Sequence, residues 1–193
     1  GNDMLQKAPK TYWSTCEQAP SVAATAYIAD TATVTGHVEI SEGVMVCPGA
    51  SVRGDEGMPI FIGPHSNIQD GAVLHGLMGQ RQEVNGRSYS IYIGDHVSCG
   101  HCCVIHGPSV VAHDTFVGFN AAVVGSVVAD HVYIGHGAQV IGVHIPAGRY
   151  VAHGTTVCTQ AAADALPEVP EDIRTFNAEV VDKNSELARN YGK

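Results

Sequence analysis

Hydrophobic positions recur every six residues along most of the chain, with small or polar residues between them. A helix repeats about every 3.6 residues and a strand every two, so neither element alone explains this spacing. A six-residue step suits a short strand plus a corner, stacked turn upon turn as a parallel β-helix. The repeated core positions are Ile28, Val34, Ile40, Val46, Val52, Ile62, Ile68, Leu74, Ile93, Cys99, Ile105, Val111, Val117, Val123, Val128, Ile134, Val140, Ile145, Val151 and Val157.

Three such hexads complete one triangular turn, which assigns each hexad to one of three faces. The irregular spacings after Val52, Leu74, Val123 and Val140 then all fall between the first and second faces, at a corner, where a stack tolerates changes in length. The pattern does not determine the handedness of the helix. Face A comprises Val52, Leu74, Ile105, Val123 and Val140, face B comprises Ile62, Ile93, Val111, Val128 and Ile145, and face C comprises Ile68, Cys99, Val117 and Ile134.

Two histidines form a column on face A. His75 and His106 each occupy the second position of a hexad, one turn apart, and Arg53 precedes them in the same column. We expect the two imidazoles to stack about 4.8 Å apart along the axis, close enough to share a metal ion. His101 lies on face C, as does Gln69 one turn earlier. A three-histidine site would therefore need face C of one subunit against face A of the next.

A less specific interpretation remains open for the same residues. The stacked pair could be a polar ladder without a metal. Cys99 and Cys103 fall on core positions and are expected to be buried apolar fillers, with Cys102 accessible between them. The remaining histidines are expected to be solvated and to form no column: His37, His65, His96, His113, His131, His136, His144 and His153.

Composition and charge exclude several classes of partner. The 193 residues are 45% hydrophobic and 15% charged, and the net charge is −9. This charge disfavours nucleic acids and anionic membranes as partners. No apolar run approaches transmembrane length. The six cysteines show no zinc-ribbon spacing and follow no secretion signal, so we expect reduced thiols and a cytoplasmic protein.

The six-residue period divides the chain. We expect an N-terminal extension over residues 1–20, a β-helix domain over 21–160, and a C-terminal helical segment over 161–193 that packs on the β-helix. The fold class is all-β, with one C-terminal α-helix. The apolar residues that follow helical spacing in the last segment are Ile173, Phe176, Val180 and Leu187.

The chain resembles the γ-class carbonic anhydrases in the segments SVRGDEGMPIFIG, SNIQDGAVLHG, YIGDHVSCGHCCVIHGP and IPAGRYVAHG, from about residue 20 to the C-terminus. The resemblance implies a left-handed β-helix, a homotrimer and metal sites between subunits. It implies that His75 and His106 of one chain and His101 of its neighbour bind zinc, with ferrous iron or Co²⁺ as alternatives.

The chemistry implied by this resemblance is the reversible hydration of CO2 to bicarbonate. Three neutral imidazoles leave an open metal position for water, whose pKa falls to about 7, so that hydroxide is available to attack CO2. Gln69 and Asn67 would hold the water and the substrate. Glu56, in a glycine-rich excursion at the corner between faces A and B, would accept the proton.

Two further residues are assigned by the resemblance to assembly. Arg53 and Asp55 would form an ion pair between subunits that ties trimerisation to the site, and a purely structural role for this pair is at least as well supported. Asn67 and Asp70 have a simpler interpretation as corner residues whose side chains bond to the backbone.

The chain departs from the family pattern at the proton path. The best-known members carry a long acidic loop with a glutamate three residues past the first histidine. That position is Met78, and the short excursion GLMGQRQEVNGRSYS has Glu83 as its one acid. Asn184 interrupts the apolar stripe of the C-terminal helix. A local hydrogen bond is the ordinary expectation for Asn184, whereas the resemblance places an asparagine near the metal. The family also has a tyrosine two residues earlier, and this chain has Asp182 at that position.

Three functions compete. The first is a trimeric metal-dependent carbonic anhydrase. The second is a γ-carbonic-anhydrase-like scaffold or assembly subunit with low activity. The third is a hexapeptide-repeat acyltransferase, which the histidine pair on face A and the missing acyl-donor signature disfavour. Retention of three histidines together with Gln69 and Glu56 favours the enzyme.

Overall fold

The structure is a computed structural model that describes residues 4–193. Short strands alternate with corners through most of this range, because β-branched residues fill the strand positions and glycine, asparagine or histidine occupies the turns. The strands are β1 (Leu5–Gln6), β2 (Ser21–Val22), β3 (Tyr27–Ile28), β4 (Thr33–Gly36), β5 (Val38–Ile40), β6 (Met45–Val46), β7 (Ser51–Gly54), β8 (Ile60–Ile62), β9 (Asn67–Ile68), β10 (Val73–His75), β11 (Gln82–Val84), β12 (Arg87–Tyr89), β13 (Ile91–Ile93), β14 (Ser98–Cys99), β15 (Val104–His106), β16 (Ser109–Val111), β17 (Phe116–Val117), β18 (Ala122–Val124), β19 (Val127–Val128), β20 (Tyr133–Ile134), β21 (Gln139–Ile141), β22 (His144–Ile145), β23 (Tyr150–Val151) and β24 (Thr156–Val157).

Three parallel sheets form the faces of the prism. Face A has the order β1-β4-β7-β10-β15-β18-β21-β24, face B has β2-β5-β8-β13-β16-β19-β22, and face C has β3-β6-β9-β14-β17-β20-β23. Every face assignment made from the hexads is confirmed, including the register that sets Val52, Leu74 and Ile105 side by side. The predicted fold class, a parallel β-helix of hexapeptide repeats with a C-terminal helix, is confirmed.

One apolar column fills the interior of the prism. The aliphatic side chains of all three faces point inward and are almost wholly excluded from water, which is the main favourable contribution to folding. Cys99 and Cys103 belong to this column, as predicted, while Cys102 is exposed at a corner. Because alternate residues of a strand face opposite sides, the same register leaves the second-position side chains pointing outward.

The two long spacings between faces A and B correspond to excursions from the prism. The longer one contains the antiparallel hairpin β11–β12, which the hexad pattern did not predict. Asn85 and Gly86 connect its strands, both with positive φ. An Asn-Gly pair between two short polar strands is a strong hairpin signal, so the hairpin was readable from the sequence.

The C-terminal segment covers face C. It contains α1 (Gln160–Asp164), a 3₁₀ turn (Glu171–Ile173) and α2 (Phe176–Tyr191), and α2 contacts β3, β6, β9 and β14. Val181 and Ala188 are buried by this packing. Leu187, which the apolar stripe placed on the packing face, is instead 44% exposed, because the buried face of α2 runs through Val181 and Ala188. Within residues 4–193, no helix combines the length and apolarity needed to cross a bilayer.

Several histidines that were expected to form no column stack in pairs, so that part of the expectation was wrong, although His96 and His153 are exposed as expected. The rings of His136 and His153 lie 4.7 Å apart and nearly parallel at the corner between faces C and A, and His65 stacks on His96 at another corner. The Nδ1 atom of His136 accepts the backbone N–H of Phe119, and the Nδ1 of His153 accepts that of His136. These imidazoles therefore act as acceptors for backbone groups of the preceding coil.

We predict that stability falls as the medium becomes acidic and that His136 contributes to the fall. Burial, and then the neighbouring His153, hold the pKa of His136 below its usual 6.5. The unfolded chain therefore binds this proton more readily, and stability is lost as the pH falls through 6.5 toward the folded-state pKa. Protonation of His136 at Nδ1 would also place a second N–H donor opposite the backbone N–H of Phe119, which would then lose its acceptor.

Urea unfolding of chelator-treated protein, followed between about pH 7 and 5.5, measures this effect. In His136→Asn the amide oxygen keeps an acceptor for Phe119 but does not titrate, so the loss of stability should be smaller than in the wild type. His131→Asn, at an exposed corner residue, is the matched control. Its free energy of unfolding should fall with decreasing pH as steeply as that of the wild type. If the free energy of unfolding fell equally steeply with decreasing pH in the wild type and in His136→Asn, His136 would not contribute to the acid sensitivity.

Candidate metal centre

His75 and His106 face each other on the outside of face A. They are register partners in β10 and β15, and their ring centroids lie 5.1 Å apart. The Nδ1 of His75 is 3.2 Å from the Nε2 of His106. The stacking predicted from the hexads is confirmed. Both rings are half-buried, so water is only partly displaced from the space beside them.

The hydrogen bonds around the pair indicate which nitrogen atoms could bind a metal. The Nδ1–H of His106 donates to the carbonyl oxygen of Gly107 over 2.9 Å, which leaves the Nε2 lone pair directed at His75. Burial, and then the charge of Arg53, lower the pKa of His75, so its imidazole is neutral at pH 7. Two neutral imidazoles with converging nitrogen atoms suit a divalent metal such as zinc.

His101 lies elsewhere on the chain, at the corner between faces C and A. Its side chain is 51% exposed, its Nδ1 is 3.1 Å from Oδ1 of Asp70, and its ring lies 4.8 Å from that of Phe119. Residues 4–193 of a single chain contain no group of three or more His, Cys, Asp or Glu side chains arranged to hold a metal. The structure thus brings together two of the three predicted ligands, and the third would have to come from a neighbouring chain.

Glu56 reaches the histidine pair from the corner between faces A and B. Its Oε1 is 3.5 Å from Nε2 of His75, and its Oε2 accepts the backbone N–H of Met78 over 3.0 Å. The carboxylate is partly exposed. It therefore lies between an imidazole of the pair and solvent.

Arg53 and Asp55 form an ion pair within one chain. Nη2 of Arg53 is 3.3 Å from Oδ2 of Asp55, and the Arg53 side chain is about half exposed. Oδ1 of Asp55 is buried and has no hydrogen-bond partner among residues 4–193. The backbone oxygen of Asp55 accepts the indole N–H of Trp13, which anchors the N-terminal segment beside the site. Pairing of Arg53 and Asp55 across two subunits stays a prediction.

Asn67 and Gln69 form a buried amide chain on face C. Nε2 of Gln69 donates to Oδ1 of Asn67, and Nδ2 of Asn67 donates to Oγ of Ser98, each over 3.0 Å. The expectation that the Asn67 side chain bonds to the backbone was wrong, because Asn67 and Ser98 are register partners on adjacent strands. Oε1 of Gln69 is buried and unpaired within the described chain, so one acceptor is free for a ligand.

Comparison with known proteins decides the family. No protein-family model matches the chain. It is 43% identical to a carbonic anhydrase of Methanosarcina thermophila over 97% of this chain and 81% of that protein. It is 33% identical to the mitochondrial γ carbonic anhydrase 1 of Arabidopsis thaliana over 60% of this chain and 40% of that protein. The chain belongs to the γ-class carbonic anhydrase family.

Other proteins similar to this γ-class carbonic anhydrase family member are much longer or share only its fold. The chain is 35% identical to the carboxysome assembly protein CcmM of Nostoc over 95% of its own length, but it spans only 33% of that protein. A hexapeptide transferase family protein of Anaplasma phagocytophilum has the same fold, with a TM-score of 0.68, 24% identity and 99% of both chains covered. That second likeness concerns the fold alone.

Asn184, at the position where the resemblance places an asparagine near the metal, forms a hydrogen bond within its own helix. Nδ2 of Asn184 donates to the carbonyl oxygen of Val180 over 2.9 Å, one turn earlier in α2. This is the ordinary expectation for a polar residue within a helix, and it is confirmed. A role for Asn184 near the metal of this γ-class carbonic anhydrase stays a prediction, on the helix that covers face C.

Proposed function

We propose that this chain catalyses the reversible hydration of CO2 to bicarbonate at metal sites between the subunits of a homotrimer. One observation carries the proposal. His75 and His106 converge on face A, with Nδ1 of His75 3.2 Å from Nε2 of His106, while His101 stands exposed at a different corner of the same chain. Family membership supports the activity. Zinc is the metal we propose, with ferrous iron or Co²⁺ as alternatives.

A divalent metal held by three neutral imidazoles supplies a water molecule whose pKa is lowered to about 7, so that a nucleophile exists at neutral pH. His75 and His106 of one chain and His101 of the next would hold that metal. The neutral state of His75, which burial favours, keeps its nitrogen available.

The amide chain on face C would orient water and CO2. Gln69 has its Nε2 committed to Asn67, which leaves Oε1 as a buried acceptor with a defined direction. Because Gln69 and His101 both lie at the end of face C, a site formed by face C of one chain and face A of another would include this amide. Orientation of a bound water by a rigid acceptor reduces the entropy cost of reaching the reactive geometry.

Glu56 would accept the proton that each hydration releases. Its carboxylate lies beside His75 on one side and near solvent on the other. The N–H of Met78 holds Oε2, which leaves Oε1 directed toward the imidazole pair. Because position 78 carries a methionine and not a second carboxylate, the next proton acceptor is buffer.

We predict that Met78→Glu raises the maximal rate severalfold in weakly buffered solution and much less in concentrated buffer. Met78 is 39% exposed beside Glu56, so a carboxylate at this position would extend the proton path toward solvent. Stopped-flow CO2 hydration at two buffer concentrations measures the effect. Met78→Gln, of similar shape but uncharged, should have no such effect. An equal gain in both buffers would show that proton export does not limit the rate.

The proposal as a whole is tested by metal analysis of anaerobically purified protein together with a CO2 hydration assay. About one divalent metal per chain and activity that disappears with chelation and returns with metal would support it. A trimer that binds no metal under these conditions and hydrates no CO2 would contradict it.

A scaffold or assembly role is the second candidate. It is favoured by the 35% identity to a carboxysome assembly protein across nearly this entire chain. The same assay separates the two candidates, because a scaffold with low activity would trimerise and retain its metal while hydrating CO2 little faster than buffer does. A cytoplasmic location is also part of our proposal, and the six free thiols support it.

A further inference from the structure

Three side chains lie in one column at the corner between faces C and A. Asp70, His101 and Phe119 each stand two residues beyond a core position of face C, on successive coils. The backbone N–H of Cys102 donates to the carbonyl oxygen of Asp70, and that of Asn120 donates to His101, so the coils are held in register at this corner. His101 is therefore fixed between an acid on one side and an aromatic ring on the other.

The contact with Asp70 favours one tautomer of the His101 imidazole. Oδ1 of Asp70 lies 3.1 Å from Nδ1 of His101. A carboxylate can only accept a hydrogen bond, so the contact favours the tautomer with its proton on Nδ1, which leaves the Nε2 lone pair for a metal. The ring of Phe119, with its centroid 4.8 Å from that of His101, limits rotation of the imidazole on the other side.

His106 shows the same arrangement with a different acceptor. Its Nδ1 donates to the carbonyl oxygen of Gly107, and its Nε2 is the nitrogen left for a metal. His101 is more exposed than His106, and an exposed imidazole has more freedom to lose on binding. A carboxylate is the stronger acceptor of the two.

We propose that Asp70 is a positioning residue for His101. It holds the exposed imidazole in the tautomer and direction that a neighbouring subunit's histidine pair requires, before the metal binds. The proposal rests on the proposed function, since it assumes that His101 is a ligand. The simpler interpretation of Asp70, a corner residue bonded to the backbone, is not what its contact with His101 shows.

The test compares zinc affinity, measured by competition with a chromophoric chelator, among wild type, Asp70→Ala, Asp70→Asn and His101→Ala. Loss of an outer-shell carboxylate typically weakens metal binding about 10–100-fold, and we expect this for Asp70→Ala. Asp70→Asn should weaken binding less, because its amide oxygen can accept a hydrogen bond from Nδ1 but carries no charge. The visible spectrum of the Co²⁺ form should change in both variants, and light scattering reports whether the trimer persists.

Asp114→Asn is the matched control. Asp114 lies at a different corner, near His96 and His131, so the same substitution there should leave zinc affinity and the Co²⁺ spectrum unchanged. Intact Asp70→Ala trimers with wild-type affinity and spectrum would overturn the proposal. If Asp70→Ala does not assemble, wild-type affinity in Asp70→Asn trimers would overturn it. Wild type that binds no zinc, or His101→Ala that binds it normally, would contradict the proposed function instead.

Discussion

Replacing His106 with alanine is expected to remove most of the bound metal and nearly all CO2 hydration while the trimer persists. His106 provides one of two converging nitrogen atoms on face A, and its Nε2 lies 3.2 Å from His75. The affinity lost should exceed the roughly 10–100-fold cost of losing an outer-shell partner. The fold should survive, because the side chain points outward from β15 and the core residue beside it, Ile105, is unchanged.

Metal content by mass spectrometry, activity by stopped flow and trimer mass by light scattering together decide this prediction. His144→Ala is a suitable control, since His144 is an exposed residue on face B. It should retain wild-type metal and activity. His106→Ala trimers that keep a full complement of metal would show that His106 is not a ligand and would leave the stacked pair as a polar ladder.

Face assignments were predictable from the sequence because only one register buries every hexad. Shifting a strand by one residue would move Leu74 into solvent and His75 into the core, at a cost that the rest of the prism cannot offset. The adjacency of His75 and His106 follows directly, since register partners share a direction. Two of the three proposed ligands could thus be brought together without a structure.

Corner contacts could not be predicted in the same way. The contact between Asp70 and His101, and the stack of His136 on His153, depend on side-chain rotations at turns, where no buried register constrains them. The hexad pattern predicts the order of the residues in a corner column. It does not predict which imidazole nitrogen of a histidine contacts which neighbouring side chain. The hairpin β11–β12 was missed for a different reason, because an insertion breaks the period that identified everything else.

The relation between subunits is the step that a single chain leaves open. His75 and His106 lie on face A, and His101 lies at the end of face C. If each metal site combines the two, then each of a trimer's three junctions needs an intact face A from one chain and an intact face C from the next. The central claim is therefore that no chain contains a complete site.

Complementation between two inactive variants measures this claim most directly. His75→Ala lacks a ligand on face A and keeps His101, whereas His101→Ala lacks its ligand on face C and keeps the histidine pair. The two proteins, each with a different affinity tag, are unfolded, mixed and reassembled, and trimers that carry both tags are purified. Each such trimer has one junction in which an intact face A meets an intact face C.

These mixed trimers should bind metal at that junction and recover about a third of the wild-type activity per trimer, while reassembled trimers of either variant alone stay inactive. A trimer with a complete site inside each chain could not recover, because every chain in the mixture lacks one ligand. Verified mixed trimers that remain as inactive and as poor in metal as the separate variants would contradict the intersubunit site.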